Sequence, residues 1–381
     1  MKISMLKYNT MERTVIILSD SSDRNLAVEN IVNSISNNQA KPQAIIYFSD
    51  FENFEFYSET LHEKYPDTEV IGSTTYVNFT NDGISHYGIS VLAIFSGIEC
   101  STGVLHDIST YPMRYVSQIT NAVSKLSSTE NTCCLEFTSA FSNGEEIVLD
   151  TFEEGLKDTG IQLAGSSSGA AENVYQTRVA LNGNVFNNSC VFILLHNLDG
   201  RIFIHKENLF KPTAKTLVAT DVDCENRVVY EYDEEPAADA IAKALEIPLE
   251  KFEEEILLHP VGRVSGSQIN ITSNGRVQAD GSIVCYSKIY NRTRVAVLEF
   301  GDFENAMFEL SGAIIAKTKE PSFAIGIECI SNSMILEKKK LFGKLTKTFS
   351  ENFEKYIGIS GYGEQLAGVH LNQSTIVVVF E

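Results

Sequence analysis

The chain has 381 residues, of which 43% are hydrophobic and 21% charged, so it is long enough for a large core and has a globular composition. Its 50 acidic and 30 basic residues give a formal net charge of −20, which argues against nucleic-acid binding because few cations are available to replace counterions. Seven cysteines without a C-x-x-C spacing, and no apolar run near the roughly 20 residues that span a bilayer, predict a cytoplasmic protein with no membrane insertion.

The first part of the chain alternates between apolar strands and amphipathic helices. Residues 14–18 predict a strand, and a helix follows to about residue 36. Residues 44–48 are apolar at every position, which is typical of a strand covered on both faces. The next helix, near 54–65, is ended by Pro66. This alternation favours α/β units.

Turn signals place further strands along the chain. Asn81-Asp82-Gly83 and Asn182-Gly183-Asn184 predict hairpin turns. Residues 88–95 and 98–105 predict two strands that pair with each other. Another strand pair is expected around Asp280-Gly281.

One short Gly/Ser/Thr phrase occurs three times, at residues 70–75, 163–169 and 356–364. Each copy follows a strand, a small polar turn, a helix and a strand, and each precedes another apolar strand. Self-similarity of this kind indicates repeated structural units. We therefore predict a mixed α/β fold in two domains, 14–215 and 220–381, built from repeated strand–helix–strand units with mixed sheets.

The turns of this phrase are the candidate ligand-binding residues. A glycine turn lets backbone N–H groups approach a ligand, and hydroxyl groups add donors and acceptors. Because open α/β sheets bind ligands outside the carboxyl ends of their strands, we expect two polar rims there. The first rim comprises Ser139, Gly165, Ser166, Ser167 and Ser168. The second comprises Cys329, Ser331, Gly363 and Glu364.

Two of these residues have competing interpretations. Glu364 is a candidate partner for a ligand ammonium group, and its alternative is a local capping role. Cys329 is a candidate sensor thiol, and its alternative is a small buried apolar side chain.

An ordered series of short motifs over most of the chain resembles the FIST family, in which a FIST N domain precedes a FIST C domain. The N-terminal part carries the Gly-Ser/Thr turns and the Gly183 hairpin. The C-terminal part carries the following pieces: Asn226, Val229-Tyr230-Glu231-Tyr232-Asp233, Pro236-Ala237, His259-Pro260, Asp280-Gly281-Ser282-Ile283, Cys329, Gly358 and Tyr362-Gly363-Glu364. Two departures are Tyr76-Val77, where the family tends to have Gly-Glu, and Asn332, where an Arg is frequent. The second departure argues against a cationic clamp at that position.

The resemblance implies a sensory module of signal transduction that binds a small-molecule ligand, such as an amino acid. It also implies a signalling partner such as a histidine kinase or a chemotaxis receptor. We expect a stand-alone sensor that acts on a separate effector, and no enzymatic activity.

Three alternatives remain open at this point. Some members of the family bind haem, and His196 or His205, each at a strand end, would be a candidate ligand for a haem-based nitric oxide sensor. Gly165-Ser166-Ser167-Ser168-Gly169 partly resembles the nucleophile turn of a serine hydrolase, with Ser167 as nucleophile. The third alternative is an interaction scaffold that binds no ligand. We expect no metal site and no cofactor other than this haem, because no histidine lies in a metal-binding spacing.

Overall fold

The computed structural model describes residues 12–38, 40–171, 174–266 and 268–381, which form four β-sheets covered by helices. The helices are α1 (Arg24–Ser36), α2 (Phe54–Lys64), α3 (Val116–Val123), α4 (Glu145–Gly155), α5 (Ala237–Leu245), α6 (Leu249–Glu254), α7 (Phe303–Lys317), α8 (Ile330–Lys338) and α9 (Phe342–Asn352), with 3₁₀ turns at Pro112–Tyr115 and Ile256–Leu258.

The strands in chain order are β1 (Thr14–Ser19), β2 (Ala44–Ser49), β3 (Glu69–Thr74), β4 (Asn78–Thr80), β5 (Gly83–Ser85), β6 (Ile89–Ile94), β7 (Ile98–His106), β8 (Thr132–Thr138), β9 (Gln162–Ser167), β10 (Val179–Leu181), β11 (Asn184–Phe186), β12 (Ser189–Asn197), β13 (Ile202–Asn208), β14 (Phe210–Asp223), β15 (Val228–Tyr232), β16 (Glu235–Pro236), β17 (Val261–Ser265), β18 (Gln268–Thr272), β19 (Asn274–Val277), β20 (Ile283–Cys285), β21 (Arg294–Phe300), β22 (Phe323–Cys329), β23 (Tyr356–Gly361), β24 (Glu364–Leu366), β25 (Val369–Leu371) and β26 (Ser374–Phe380).

The same unit occurs three times, in the order strand, helix, strand, helix, strand, hairpin, strand. The first unit runs from β1 to β6, the second from β7 to β12, and the third from β13 to β26 with an insertion. In each unit the second and third long strands pair in parallel, as β2–β3, β8–β9 and β22–β23. The last strand of each unit lies antiparallel to the second, as β6–β2, β12–β8 and β26–β22. The predicted mixed α/β fold with repeated units is confirmed.

The three units are tied together by exchanged hairpins. The β4–β5 hairpin of the first unit pairs with β23 of the third. The β10–β11 hairpin of the second unit pairs with β3 of the first, and the β24–β25 hairpin of the third pairs with β9 of the second. Each unit therefore completes the sheet of another, and the exchange closes a ring of three sheets. The ring brings the three Gly/Ser/Thr turns to its centre.

The central strands are buried on both faces, as their unbroken apolar sequence predicts. Alternate residues point inward to a core shared by the three sheets, which includes Ile46, Leu135 and Ile325. The intervening residues pack against the helices of their own unit. Full burial of one such side chain stabilises the fold by about 1.5–3 kcal/mol.

The expected pairing of the strands at 88–95 and 98–105 is wrong. Both strands exist, but β6 lies between β1 and β2 in one sheet, whereas β7 pairs with β12 in another. The reason is that both edges of β6 are already occupied, so the next strand must begin a new sheet. The hairpin turns at Asn81–Gly83 and Asn182–Asn184, and the strand pair around Asp280-Gly281, are present as predicted.

The fourth sheet is inserted into the third unit, between β13 and α7. Its strand order is β18-β17-β21-β14-β15-β20-β19, with β16 beside β15, and it has its own core against α5 and α6. Strand β14 runs continuously through residues 215–220. The two-domain division at that point stays a prediction.

Candidate site at the junction of the three repeats

The three Gly/Ser/Thr turns are hydrogen-bonded to one another. Between the first two, Ser73 Oγ donates to Ser168 Oγ at 2.8 Å, and the Gly169 N–H donates to the Thr74 carbonyl at 2.9 Å. Between the first and third, the Tyr76 N–H donates to the Ser360 carbonyl at 2.9 Å. The repeated turns thus form a single junction.

The second and third turns are joined most closely. The Ser167 N–H donates to the Gly363 carbonyl at 2.9 Å, and the Tyr362 N–H donates to the Ser167 carbonyl at 3.0 Å. A side chain at Gly361 would overlap the Ser167 carbonyl, and one at Gly169 would overlap the Ser360 carbonyl. Only glycine fits at these two positions, which belong to the second and third copies of the phrase.

The side chains of the predicted first rim are buried within this junction. Ser166, Ser167 and Ser168 have no solvent exposure, and Gly165 packs against the side chain of Glu136. Ser139 is also buried, and its Oγ accepts a hydrogen bond from the Ser189 N–H at 2.9 Å. These hydroxyls are engaged by the protein itself, and their role in ligand binding stays a prediction.

Ser167 belongs to a buried polar chain that we call the Ser167 network, comprising Glu145, Ser167, Arg227, Gln365 and His370. The Ser167 hydroxyl donates to Glu145 Oε1 at 3.4 Å and accepts from Gln365 Nε2 at 3.0 Å. Gln365 Nε2 also lies 3.1 Å from His370 Nδ1. Because an amide nitrogen only donates, Nδ1 is the acceptor and His370 Nε2 carries the proton, which it donates to the Tyr286 carbonyl at 3.2 Å.

The geometry of the Ser167 network bears on the hydrolase alternative. Burial lowers the pKa of His370, so this imidazole is neutral at neutral pH. The Ser167 hydroxyl contacts a carboxylate and an amide, and Gln365 stands between it and the imidazole. With no solvent exposure, Ser167 does not have the exposed position that a nucleophile turn provides.

Arg227 connects the inserted sheet to the second unit. Its Nη2 donates to Glu145 Oε2 at 2.7 Å and to Glu146 Oε2 at 2.6 Å, at the start of α4. Its Nη1 donates to the Tyr286 carbonyl at 3.1 Å. Arg227 is only 7% exposed, so this ion pair is largely removed from water.

Two buried glutamates lie on the other side of the junction. Glu364 Oε2 accepts from the Ser374 N–H at 3.0 Å and from the Ser374 hydroxyl at 2.7 Å. Glu328 Oε2 accepts from Thr375 Oγ1 at 2.7 Å. Within the described chain, Oε1 of both glutamates has no hydrogen-bond partner. Burial raises the pKa of each to about 8, so both carboxyls are largely neutral at neutral pH.

A cavity of about 490 Å³ opens next to these glutamates. It is lined by Phe141, Tyr175, Ile256, Leu257, Gly275, Tyr286, Cys329, Ile330, Ser331, Met334, Tyr362 and Asn372. Of the predicted second rim, Cys329 and Ser331 lie in the cavity wall. Gly363 and Glu364 follow Tyr362 in the chain and are buried behind that wall. Burial raises the pKa of Cys329, so its side chain is a thiol and not a thiolate.

Aromatic rings form the entrance of the cavity. The Phe141 ring centroid lies 4.7 Å from that of Tyr362 and 6.3 Å from that of Tyr175. Phe141 is 50% exposed and Tyr175 is 76% exposed. Phe141 also adopts a left-handed backbone conformation with φ of 68°, which costs a non-glycine residue about 1–2 kcal/mol. Strain of this kind is typical of functional loops.

Sequence reasoning missed several residues of this site. Phe141, Tyr175, Tyr286 and Asn372 line the cavity but lie in connecting segments with no distinctive motif. The available signal was position: Phe141 closely follows the polar carboxyl end of β8, where ligand sites are expected. Arg227 carried no such signal, because its carboxylate partners are about 80 residues away in the sequence.

A second cavity of about 670 Å³ lies on the other side of Ile256, Leu257 and Met334, which line both cavities. Its remaining wall comes from Tyr76, Glu254, Glu255, Leu258, Ile335, Glu337, Lys338 and Lys339.

The two candidate haem ligands lie apart from both cavities. His196 Nδ1 is 3.2 Å from the Thr132 hydroxyl, and His205 Nε2 is 3.3 Å from Glu207 Oε2. Among the described residues, no group of three or more His, Cys, Asp or Glu side chains is placed to hold a metal ion. The haem interpretation stays a prediction.

Comparison with known families gives two matches that together cover most of the chain. The FIST N domain matches residues 43–235, and the FIST C domain matches residues 237–367. FIST domains are associated with sensor modules of signal transduction rather than with enzymes. No curated protein matched the chain. In the described part of the chain, no helix has both the length and the apolar character needed to cross a bilayer. The motif series, the repeated units and both domain matches agree, and the chain belongs to the FIST family.

Proposed function

We propose that this protein is a cytoplasmic sensor of a small ligand, such as an amino acid, and that the ligand binds in the 490 Å³ cavity beside the three-turn junction. The volume of this cavity lies within the range of typical small-molecule sites, about 300–1,000 Å³. Its lining has the usual character of such a site, which is mostly apolar and aromatic with a few polar groups.

The observation that carries this proposal is the origin of the lining residues. Phe141 and Tyr175 lie within the FIST N match, whereas Tyr286, Ser331 and Tyr362 lie within the FIST C match. A ligand in the cavity therefore contacts both parts of the chain at once. If its affinity differs between two arrangements of these parts, binding shifts the population between them.

A separate signalling protein, such as a histidine kinase or a chemotaxis receptor, would recognise the conformation that the ligand favours. A wall residue with contacts beyond the cavity supports this route. The Tyr286 carbonyl accepts hydrogen bonds from Arg227 and His370, and Arg227 holds the start of α4. Movement of Tyr286 on binding would therefore reach a helix on the surface of the second unit.

A thermal-shift screen over amino acids and small carboxylates tests the proposal, together with an absorbance spectrum for haem. Ser331→Leu should abolish the response to any active compound, because the larger side chain fills the cavity floor. Gln162→Leu is the matched control, since it places the same side chain in a separate surface cavity of about 560 Å³. A response that survives Ser331→Leu unchanged would reject this cavity as the ligand site.

A further inference from the structure

The N-terminus of α8 opens into the cavity floor. Ile330 and Ser331 are the first residues of this nine-residue helix, and both line the cavity. Within the described chain, its N-cap residue Cys329 makes no side-chain capping hydrogen bond of normal geometry; its sulfur, which lies near the Ser331 N–H, is only a weak acceptor. The first turn of a helix presents backbone N–H groups without intrahelical partners, and the helix dipole favours a negative charge there.

A second, independent donor lies in the same wall. Asn372 is 1% exposed, and its Oδ1 accepts a hydrogen bond from the Ser273 N–H at 3.1 Å. This bond fixes the orientation of the amide, because a backbone N–H requires the oxygen on that side. Nδ2 is then left as a buried donor with no hydrogen-bond partner in the described residues. An unpaired buried donor is costly, and a ligand acceptor would remove that cost.

The charges around the cavity limit the kind of acceptor. None of the described lining residues is Lys, Arg, His, Asp or Glu. Neutral donors and one helix dipole suit a single negative charge better than a doubly charged phosphate, which proteins usually hold with Arg or Lys. Glu328 and Glu364 lie behind the wall and are largely neutral at neutral pH, so they do not repel an anion.

The residues at the entrance of the cavity indicate the chemical character of the part of the ligand that lies away from α8. The Phe141 ring contacts the rings of Tyr175 and Tyr362, and Tyr286 adds a fourth aromatic wall residue. Aromatic walls favour a flat or apolar body, which stacks in offset or edge-to-face arrangements.

We infer that the cavity recognises a monocarboxylate with an aromatic or bulky apolar body, the carboxylate lying at the start of α8 between Ser331 and Asn372. The inference rests on the proposed function and adds the chemical class of the ligand. The amino group of an amino acid is not required in this arrangement. The recognition elements are the carboxylate and the apolar body.

Four probes in isothermal titration test this inference on the full-length protein: 3-phenylpropionate, 3-phenylpropionamide, phenethylamine and inorganic phosphate. We expect saturable binding of 3-phenylpropionate, and at least tenfold weaker binding of the other three. Equal or tighter binding of phenethylamine, the neutral amide or phosphate would overturn the carboxylate assignment.

Two variants locate the carboxylate. Asn372→Asp keeps the acceptor for the Ser273 N–H and replaces only the donor, so we expect at least tenfold weaker binding of 3-phenylpropionate. Ser331→Ala is the second variant, with an expected loss of about threefold, in case Asn372→Asp does not fold. Asn121→Asp, on an exposed position of α3, adds the same charge elsewhere and should leave binding unchanged. Unchanged affinity in both Asn372→Asp and Ser331→Ala would overturn the assignment.

The outcomes separate this inference from the proposed function. If other compounds in the thermal-shift screen stabilise the protein through the same cavity while 3-phenylpropionate does not bind, the carboxylate assignment fails and the sensor proposal stands. If no compound stabilises the protein, both fail.

Discussion

The molecule holds two buried polar regions side by side, and they are built in opposite ways. In the Ser167 network the charges are paired, since Arg227 contacts both Glu145 and Glu146. At the cavity, Asn372 Nδ2 in the wall and Glu364 Oε1 behind it have no hydrogen-bond partner among the described residues. The first region pairs its charges within the protein, although Gln365 Oε1 and Arg227 Nε there also have no partner among the described residues. The second region instead holds carboxyls that burial keeps largely neutral.

Neighbouring residues of one short strand divide between these regions. Glu364 and Gln365 are consecutive in β24, and successive side chains of a strand point to opposite faces. Glu364 bonds to Ser374 behind the cavity wall, whereas Gln365 bonds to Ser167 and His370 in the network. The comparison teaches that the hairpin donated by the third unit positions both regions, the charge-paired network and the proposed ligand site.

Breaking the paired region should have the largest effect on stability. Arg227→Met leaves Glu145 as an uncompensated buried charge, and we expect a loss of about 3–5 kcal/mol in the free energy of unfolding. Urea denaturation at pH 7 measures it. Arg294→Met, at an exposed position, should change stability by no more than about 0.5 kcal/mol. Equal small losses in both variants would show that the ion pair does not hold the inserted sheet.

The glycine contacts of the junction come next. Gly361→Ala forces a methyl group against the Ser167 carbonyl, and we expect a loss of about 1–3 kcal/mol or more. Gly312→Ala, inside α7 with open space around it, should instead stabilise the protein by about 0.5–1 kcal/mol. Thermal melts of the two variants give the comparison, and a tolerated alanine at Gly361 would contradict the close contact of the turns.

The buried carboxyl of Glu364 should make the stability of the protein depend on pH. Glu364 ionises near 4.5 in the unfolded chain and near 8 in the folded protein, where Glu328, Cys329 and Lys206 are its titratable neighbours. Between these pH values the folded state holds the extra proton, so its contribution to stability is present below about pH 4.5 and is lost as pH rises to about 8. Glu364→Gln has no such proton to lose. Its stability relative to wild type should therefore rise from pH 5 to pH 8.

Urea denaturation at pH 5, 6, 7 and 8 checks this prediction. Part of the pH dependence should remain in Glu364→Gln, because the pKa of Glu328 is raised in the same direction. Glu309→Gln, on the exposed side of α7, is the control and should follow wild type at each pH. Parallel curves for wild type and Glu364→Gln would mean that Glu364 is already ionised in the folded protein.

The smallest effect on stability is expected at the cavity entrance. Phe141→Gly relieves the left-handed backbone strain and removes the ring, so the free energy of unfolding should stay within about 1 kcal/mol of wild type. Its ligand-induced thermal shift should nevertheless fall. Ala367→Gly relieves similar strain, at φ of 49°, without touching this cavity, and should keep the full shift. A full ligand-induced thermal shift in Phe141→Gly would show that the aromatic entrance does not contribute to ligand binding.

The repeated units could be predicted because their signal is local. Each Gly/Ser/Thr turn follows an apolar strand and a helix, and all three copies share one glycine, at Gly72, Gly165 and Gly358. The exchange of hairpins could not be predicted, because the partner of each short strand is set by the tertiary arrangement of the three sheets and not by its local sequence. The same limit explains the wrong pairing of β6 with β7.

The site divides in the same way. Cys329 and Ser331 were found because they follow the end of a buried strand, which is a local signal. Asn372 and Tyr286 reach the cavity from a distant hairpin and from the inserted sheet, and neither has a sequence pattern that indicates a pocket. The burial of Ser166, Ser167 and Ser168 also follows from the ring of three units, which their own sequence does not reveal.

Titration calorimetry with the compound that gives the largest thermal shift tests the central claim, that the unpaired polar floor beside the junction is a ligand site. Wild type and Gln162→Leu should bind this compound with the same affinity. Ser331→Leu should show no saturable heat of binding, although its melting temperature shows that it is folded. Equal affinity in all three proteins would contradict the claim and place the ligand elsewhere.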